Sequence, residues 1–301
     1  MKFTTKSLTL LFLAAGLCVA NTAQAGTISY QTTVLGDNPI VYYELDETSG
    51  TTAANSATTG GTYTGTFNTA GGSITVNQAS FAQGGTAYNF GGGFIGSASA
   101  LTNSLDEWTV EAWVNYDSAK NSQSHILSND QGGWNDDVLI GLGTEGGTMG
   151  VPAGSFGVIQ QGNPGTTRDF TSAPLVADEW HHVVITGSTS AAIPNLTLYI
   201  DGVFAASDTS LSNGVTFNGA DGFDATGSDA PNLTIGAARP DSGNAGYRPY
   251  DGLLDEVAIY GAALDLTTVK AHYDAGVAPE PTTMSLLALG GLAMLRRKRR
   301  A

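Results

Sequence analysis

From about residue 40 to residue 275 the chain alternates short apolar runs with Gly, Ser, Thr, Asn and Asp, and no long stretch keeps a 3.6-residue apolar period. That texture predicts an all-β sandwich or barrel. The runs that read as strands are 40–45, 108–115, 181–186, 195–200, 233–237 and 254–260. Asp201-Gly202, directly after 196–200, predicts a tight two-residue hairpin turn. Only 264–275 reads as a short helix or closing segment. The stretches 51–75 and 213–231 are rich in Gly, Thr, Ser and Asp and read as long loops inside one domain.

The two ends follow different patterns. Lys2 and Lys6 precede an apolar run over 8–20 and then Ala23 and Ala25, the charged, apolar and A-x-A order of a secretory signal, with cleavage expected after Ala25. A membrane-spanning anchor needs roughly 20 apolar residues, and this run is shorter. Cys18, the only cysteine, follows bulky Leu17 and leaves with the signal. The exported domain therefore has neither disulfide nor thiolate chemistry, although it goes where disulfides persist. The other end carries Pro279-Glu280-Pro281, an apolar stretch over 284–295, and a basic block over 296–300. As a helix, 282–295 would be about 21 Å long at about 1.5 Å per residue, against a hydrocarbon core of about 30 Å. Such a length fits a transient membrane association, with the arginines staying cytoplasmic.

Charge changes the picture further. Seven of the twelve basic residues lie at 2–6 and 296–300, leaving five against all 27 carboxylates, a net −22 over residues 26–281. That field repels nucleic acid and anionic membrane faces, and it suits cation binding. Most of the individual carboxylates read as an ordinary solvated surface.

The order Pro-Glu-Pro, apolar stretch, Arg-rich end resembles the PEP-CTERM sorting signal of Gram-negative bacteria. The resemblance implies recognition at Pro279, Glu280 and Pro281 by an exosortase-type membrane protease, removal of the tail, and delivery to the cell surface or an extracellular matrix. Further phrases, Val41-Tyr42-Tyr43-Glu44-Leu45-Asp46, Trp108-Thr109-Val110-Glu111-Ala112-Trp113-Val114, Glu179-Trp180-His181-His182-Val183-Val184 and Tyr250-Asp251-Gly252-Leu253-Leu254-Asp255-Glu256-Val257, resemble in order those of a LamG-like, concanavalin A-like domain. The fold implied is a two-sheet antiparallel jelly-roll sandwich. The organisation expected is a signal peptide over 1–25, the jelly roll over 26–278 and the sorting tail over 279–301. Fold of this kind does not fix activity.

Strand alternation puts Glu111 and Trp113 on the face opposite Val110, Ala112 and Val114. On a concave sheet such a pair could hold a sugar by stacking and hydrogen bonding; the alternative is that Trp113 packs under a covering segment. Trp134, Tyr247 and Tyr250 read as loop aromatics that could touch a ligand. His181 and His182 are adjacent on a strand, so their rings diverge and converge poorly on one zinc ion. Calcium, which takes several oxygen ligands, is the better prospect. By resemblance to concanavalin A-like sandwiches an ion could clip an early loop to a late strand through Asp46 and Asp255; Asp221, Asp224 and Asp229 are the alternative set. Catalysis finds no signature: the Glu-x-Asp-x-x-Glu motif of laminarinase-like relatives, approached by Glu44 and Asp46, breaks at its final position, where Ser49 and the following Gly50 offer no carboxylate, and no G-x-S-x-G elbow, phosphate loop or Cys-His pair occurs. The expectation is a non-catalytic surface or matrix protein whose jelly roll binds exopolysaccharide or another surface glycan. An exported polysaccharide hydrolase or lyase using Glu111, and a purely structural adhesion or coat protein, are the alternatives.

Overall fold

The computed structural model describes residues 29–97, 105–117, 124–128, 138–142, 154–162, 166–188, 196–208, 233–237, 239–240 and 246–278. In chain order these form helix α1 (Tyr30–Gly36) and strands β1 (Val41–Tyr43), β2 (Thr52–Ala53), β3 (Gly65–Asn68), β4 (Ser73–Ala79), β5 (Thr86–Gly91), β6 (Phe94–Ser97), β7 (Glu107–Tyr116), β8 (Ser124–Ser128) and β9 (Val138–Leu142). There follow β10 (Ser155–Gly162), β11 (Thr166–Pro174), β12 (His181–Ser188), β13 (Leu196–Ile200), β14 (Val203–Asp208), β15 (Thr234–Ile235), β16 (Arg239–Pro240), β17 (Gly246–Tyr247), β18 (Asp251–Tyr260) and helix α2 (Leu266–Val277).

Two antiparallel sheets make the sandwich, in the orders β14-β13-β12-β7-β18-β5-β4, with β1 also on β18, and β11-β10-β9-β8-β15-β6-β3-β2. β16 and β17 form a separate ribbon. The inner faces fill one apolar core, to which β7 gives Trp108, Val110, Ala112 and Val114, β12 gives Val183 and Ile185, and β18 gives Leu254, Val257 and Ile259. The expected strands are all present, and the Asp201-Gly202 turn has both residues at positive φ, +51° and +71°, as a type I′ hairpin requires.

Two expectations are corrected. The segment 51–75 read as a loop, yet it holds β2, β3 and the start of β4. β4 keeps an alternating exposed and half-buried pattern, so its strand register is carried by partly buried Ile74 and Val76 rather than by bulky apolar residues. The second miss is α1. Its first turn is capped by Ser29, whose side chain accepts from the Thr32 amide at 3.2 Å, and it buries only Tyr30 and Val34, four residues apart. The predicted helix at 264–275 is α2, capped by Asp265 accepting from the Thr268 amide at 2.9 Å. It buries Val269, His272 and Gly276 along one stripe. Among the described residues no helix is long and apolar enough to cross a membrane.

Both helices cover the outer face of the β7–β18 sheet. That placement decides what the site residues do.

Candidate functional site

On β7 the residues that alternate away from the core are Thr109, Glu111 and Trp113. Register sets Val184 of β12 and Ala258 of β18 opposite Glu111, two small or apolar neighbours that leave space above the carboxylate. Four polar side chains from four elements fill it. Tyr30 of α1 donates its hydroxyl to Oε1 at 2.5 Å, and His182 of β12 donates from Nε2 to the same oxygen at 2.8 Å. Tyr260 of β18 donates to Oε2 at 2.9 Å, and His272 of α2 donates from Nδ1 at 2.8 Å.

His272 also points Nε2 at the Asp37 carboxylate, 2.9 Å away, at the C-terminal end of α1. A carboxylate only accepts, so a ring between two of them is satisfied as imidazolium. Burial alone would push the His272 proton off; the Glu111 charge and the hydrogen bonds to Glu111 and Asp37 outweigh it, and the pKa rises to about 9. Burial likewise disfavours an ionised Glu111, but His272 and the hydrogen bond from His182 win and hold it below the usual carboxylate range. The Tyr30 and Tyr260 hydroxyls stay protonated, raised by burial and by Glu111. This is a closed ionic network tying both helices to the centre of the sheet.

Trp113 lies beside it, 2% exposed. Phe81 stacks on it at 4.0 Å and 10°, Tyr273 of α2 at 5.9 Å and 16°, and Gly276 is so near that a Cβ there would meet Trp113 Cζ2 at 2.4 Å. The expectation of an open sugar-stacking surface at Glu111 and Trp113 is therefore corrected. The face assignment holds, but α1, α2 and Phe81 roof it, and Glu111 has its lone pairs occupied by four donors.

A second cluster sits at the β18 bulge between Asp255 and Ala258. Consecutive strand residues normally point to opposite faces; here Glu256 adopts φ +53°, the extra residue is absorbed, and Asp255 and Glu256 are both buried. Ser80 donates its hydroxyl to Asp255, and Tyr42 donates to Glu256. Burial first, then the Glu256 charge, pushes the Asp255 pKa well up. Burial also raises Glu256, with Glu44 and Asp46 adding to it against the opposing Tyr42 hydrogen bond. Asp46, exposed on the early loop, accepts from the Thr86 amide at 2.6 Å. The two aspartates meet one glycine pair: a Cβ on Gly84 would stand 2.5 Å from Asp255 Oδ2, and one on Gly85 2.3 Å from Asp46 Oδ1. A side chain at either glycine would have to displace the carboxylate beside it.

The remaining candidates do not join either cluster. Tyr250 stands in the connection before β18, as a loop residue, but is fully buried in the core with its hydroxyl on the Leu253 carbonyl at 3.2 Å, which corrects the expectation that it could touch a ligand. Tyr247 lies in the β16–β17 ribbon, with its side chain outside the described residues. Trp134, Pro279, Glu280, Pro281, Asp221, Asp224 and Asp229 also lie outside them. His181 diverges from His182 as expected and bonds Asp201 at 2.8 Å and the Val176 carbonyl at 3.1 Å. Among the described residues no group of three or more His, Cys, Asp or Glu side chains converges as a metal set.

The two-sheet antiparallel sandwich fits the family that the sequence matches: the chain belongs to the concanavalin A-like lectin/glucanases superfamily, whose model matches residues 89–270. A second model, the PEP-CTERM protein-sorting motif, matches residues 277–300, so the chain carries a surface-directing export signal. Similar solved structures include the binding domain of botulinum neurotoxin serotype D (TM-score 0.51, 11% identity, covering 80% of this chain and 51% of that one). The binding domain of botulinum neurotoxin DC in complex with SialylT gives 0.50 and 11%, covering 80% and 52%. Domain 4 of AbnA, a GH43 extracellular arabinanase from Geobacillus stearothermophilus, in complex with arabinotriose, gives 0.49 and 19%, covering 78% and 98%. The chain spans about half the length of the neurotoxin binding domains it matches. At these identities the likeness is one of fold. No curated relative matches the chain.

Proposed function

We propose that the chain is an exported, non-catalytic glycan-binding protein of the cell surface or extracellular matrix. The observation that carries this reading is the union, in one chain, of a concanavalin A-like domain and a PEP-CTERM motif. On this reading residues 1–25 are a cleaved signal peptide, 26–278 the binding domain, and 279–301 a tail removed by an exosortase-type membrane protease at the inner membrane of a Gram-negative bacterium. The ligand is an exopolysaccharide or another surface glycan. A binding domain of the same fold, that of botulinum neurotoxin DC, is described in complex with SialylT, which supports a glycan. The hydrolase alternative loses its motive, because Glu111 is buried and held by four donors, out of reach of a sugar.

Calcium belongs to the same proposal. The donor chemistry supports it: Asp46 and Asp255 are hard oxygen ligands, their carboxylates stand against the adjacent Gly85 and Gly84, and buried Asp255 lies beside buried Glu256 with its ionised form disfavoured. Asp46 and Asp255 would hold the ion, which would supply the positive charge this pair lacks and fasten the early loop to β18. Retention of the purified domain on exopolysaccharide fractions, with calcium and with chelator, tests the proposal. Retention on one fraction is expected, and absence of retention on every fraction in calcium overturns it.

A further inference from the structure

The domain and the sorting motif share one helix. The superfamily match ends at residue 270 and the sorting match begins at residue 277, and both positions lie in α2, Leu266–Val277. No linker separates them. The last turn of α2 is moreover held down: Gly276 packs so closely that a Cβ there would stand 2.4 Å from Trp113 Cζ2 and 3.1 Å from Phe81 Cε2. One residue on, the Ala278 carbonyl accepts from Gln83 Nε2 at 2.8 Å. Ala278 itself is extended, φ −61° and ψ 133°, as the residue before a proline is, so the helix stops there while the chain remains fastened.

A protease takes its substrate as an extended strand with open backbone groups, and a packed segment is cut only through local opening. The three residues at which the protease would recognise the chain, Pro279, Glu280 and Pro281, follow fastened Ala278 directly. Fully extended, these three reach about 10 Å. An enzyme that must surround this segment therefore meets the folded domain unless the end of α2 yields.

We infer that the latch formed by Gln83, Trp113 and Phe81 on the end of α2 governs C-terminal processing, so that the last turn opens before the tail is cut. The inference rests on the reading above that a membrane protease removes the tail. Pulse–chase of the full chain in the producing bacterium, following the size shift from precursor to processed protein, tests it with two variants. Gln83→Ala removes one hydrogen bond and is expected to speed processing about fivefold, the factor that an ordinary net hydrogen bond gives in an opening equilibrium. A flexible Gly/Ser spacer of about eight residues after Ala278 leaves all packing in place and is expected to speed it at least as much. Unchanged or slower processing of the spacer variant, with the wild-type chain processed, overturns the inference and leaves the processing reading intact. A wild-type chain that never loses its tail overturns both.

Discussion

Glu111 of β7 and His272 of α2 are hydrogen-bonded at 2.8 Å with both side chains fully shielded from water, one on the central strand of a sheet and the other on a helix that covers it. Their ion pair is the joint between the sandwich and its helical cover. Attraction in such a place is strong because little water screens it, and the desolvation of each partner is offset only while the other is present.

Replacing Glu111 by Gln keeps the shape and removes the charge. It leaves the His272 imidazolium facing an amide and sets an NH2 group against donors from Tyr30, His182 or Tyr260. The expected cost is about 3–5 kcal/mol, the usual range for breaking a buried pair, read as a lower urea midpoint at unchanged slope. Asp37→Asn acts on the same ring from a carboxylate 39% exposed. It should cost no more than about 1 kcal/mol.

The pH profile follows from the same joint. His272 has its pKa raised to about 9, so its contribution is fully present below the unfolded value of about 6.5 and fades as pH climbs through 9. Glu111 is held low, so its contribution is present above about 4.5 and is lost only in stronger acid. Thermal melts of the wild type minus those of a His272→Gln variant should show a difference that is largest between roughly pH 4.5 and 6.5 and falls toward pH 9. The falling limb should span on the order of 3 kcal/mol, the equivalent of that upward shift. A difference that grows above pH 7 would contradict the imidazolium assignment.

The strands and the Asp201-Gly202 hairpin were legible in the sequence because period-2 alternation and turn chemistry are local signals. The same alternation put Glu111 and Trp113 on the correct face of β7. What it could not say is what covers that face, since Tyr30, His182, Tyr260 and His272 come from positions 71 to 161 residues away from Glu111. Neither His spacing nor any local motif encodes such a meeting. α1 left a fainter trace, a Ser cap with Tyr30 and Val34 four apart, too short beside its polar neighbours to outweigh a loop. Asp255 and Glu256 were readable as an acidic pair, but the bulge that buries both is set by Glu256 at positive φ, a conformation Glu rarely adopts.

Close packing across the sandwich gives a sterically simple test. A Cβ at Gly187 of β12 would stand 2.2 Å from Trp108 Cε2, and Trp108, fully buried, is among the largest side chains of the core. Gly187→Ala must displace the indole or the strand, with an expected loss of about 1–3 kcal/mol. Gly50→Ala, at a glycine with nothing within 4 Å but φ +108°, should cost about 1–3 kcal/mol through backbone strain alone. Urea unfolding with near-ultraviolet circular dichroism separates them, because only the first should alter the tryptophan signal.

The Asp46–Asp255 pair makes the sharpest demand. Asp255 and Glu256 both have their pKa values raised, chiefly by burial, so without a cation the folded domain prefers them protonated and loses stability as pH rises above about 4. An ion bound by Asp46 and Asp255 reverses that dependence, because it binds the ionised form. Adding calcium to chelator-treated domain should therefore raise the melting temperature at pH 7 and have little effect near pH 4. With calcium at about a hundred times its dissociation constant the gain is about 2.7 kcal/mol. Asp255→Asn, which removes the buried charge, should melt higher than wild type in chelator at pH 7 and lose the calcium response; Asp46→Asn should lose the response without that gain. Should wild type and both variants shift equally on adding calcium, the ion is bound elsewhere and the clip between the early loop and β18 is held by Ser80, Tyr42 and Thr86 alone.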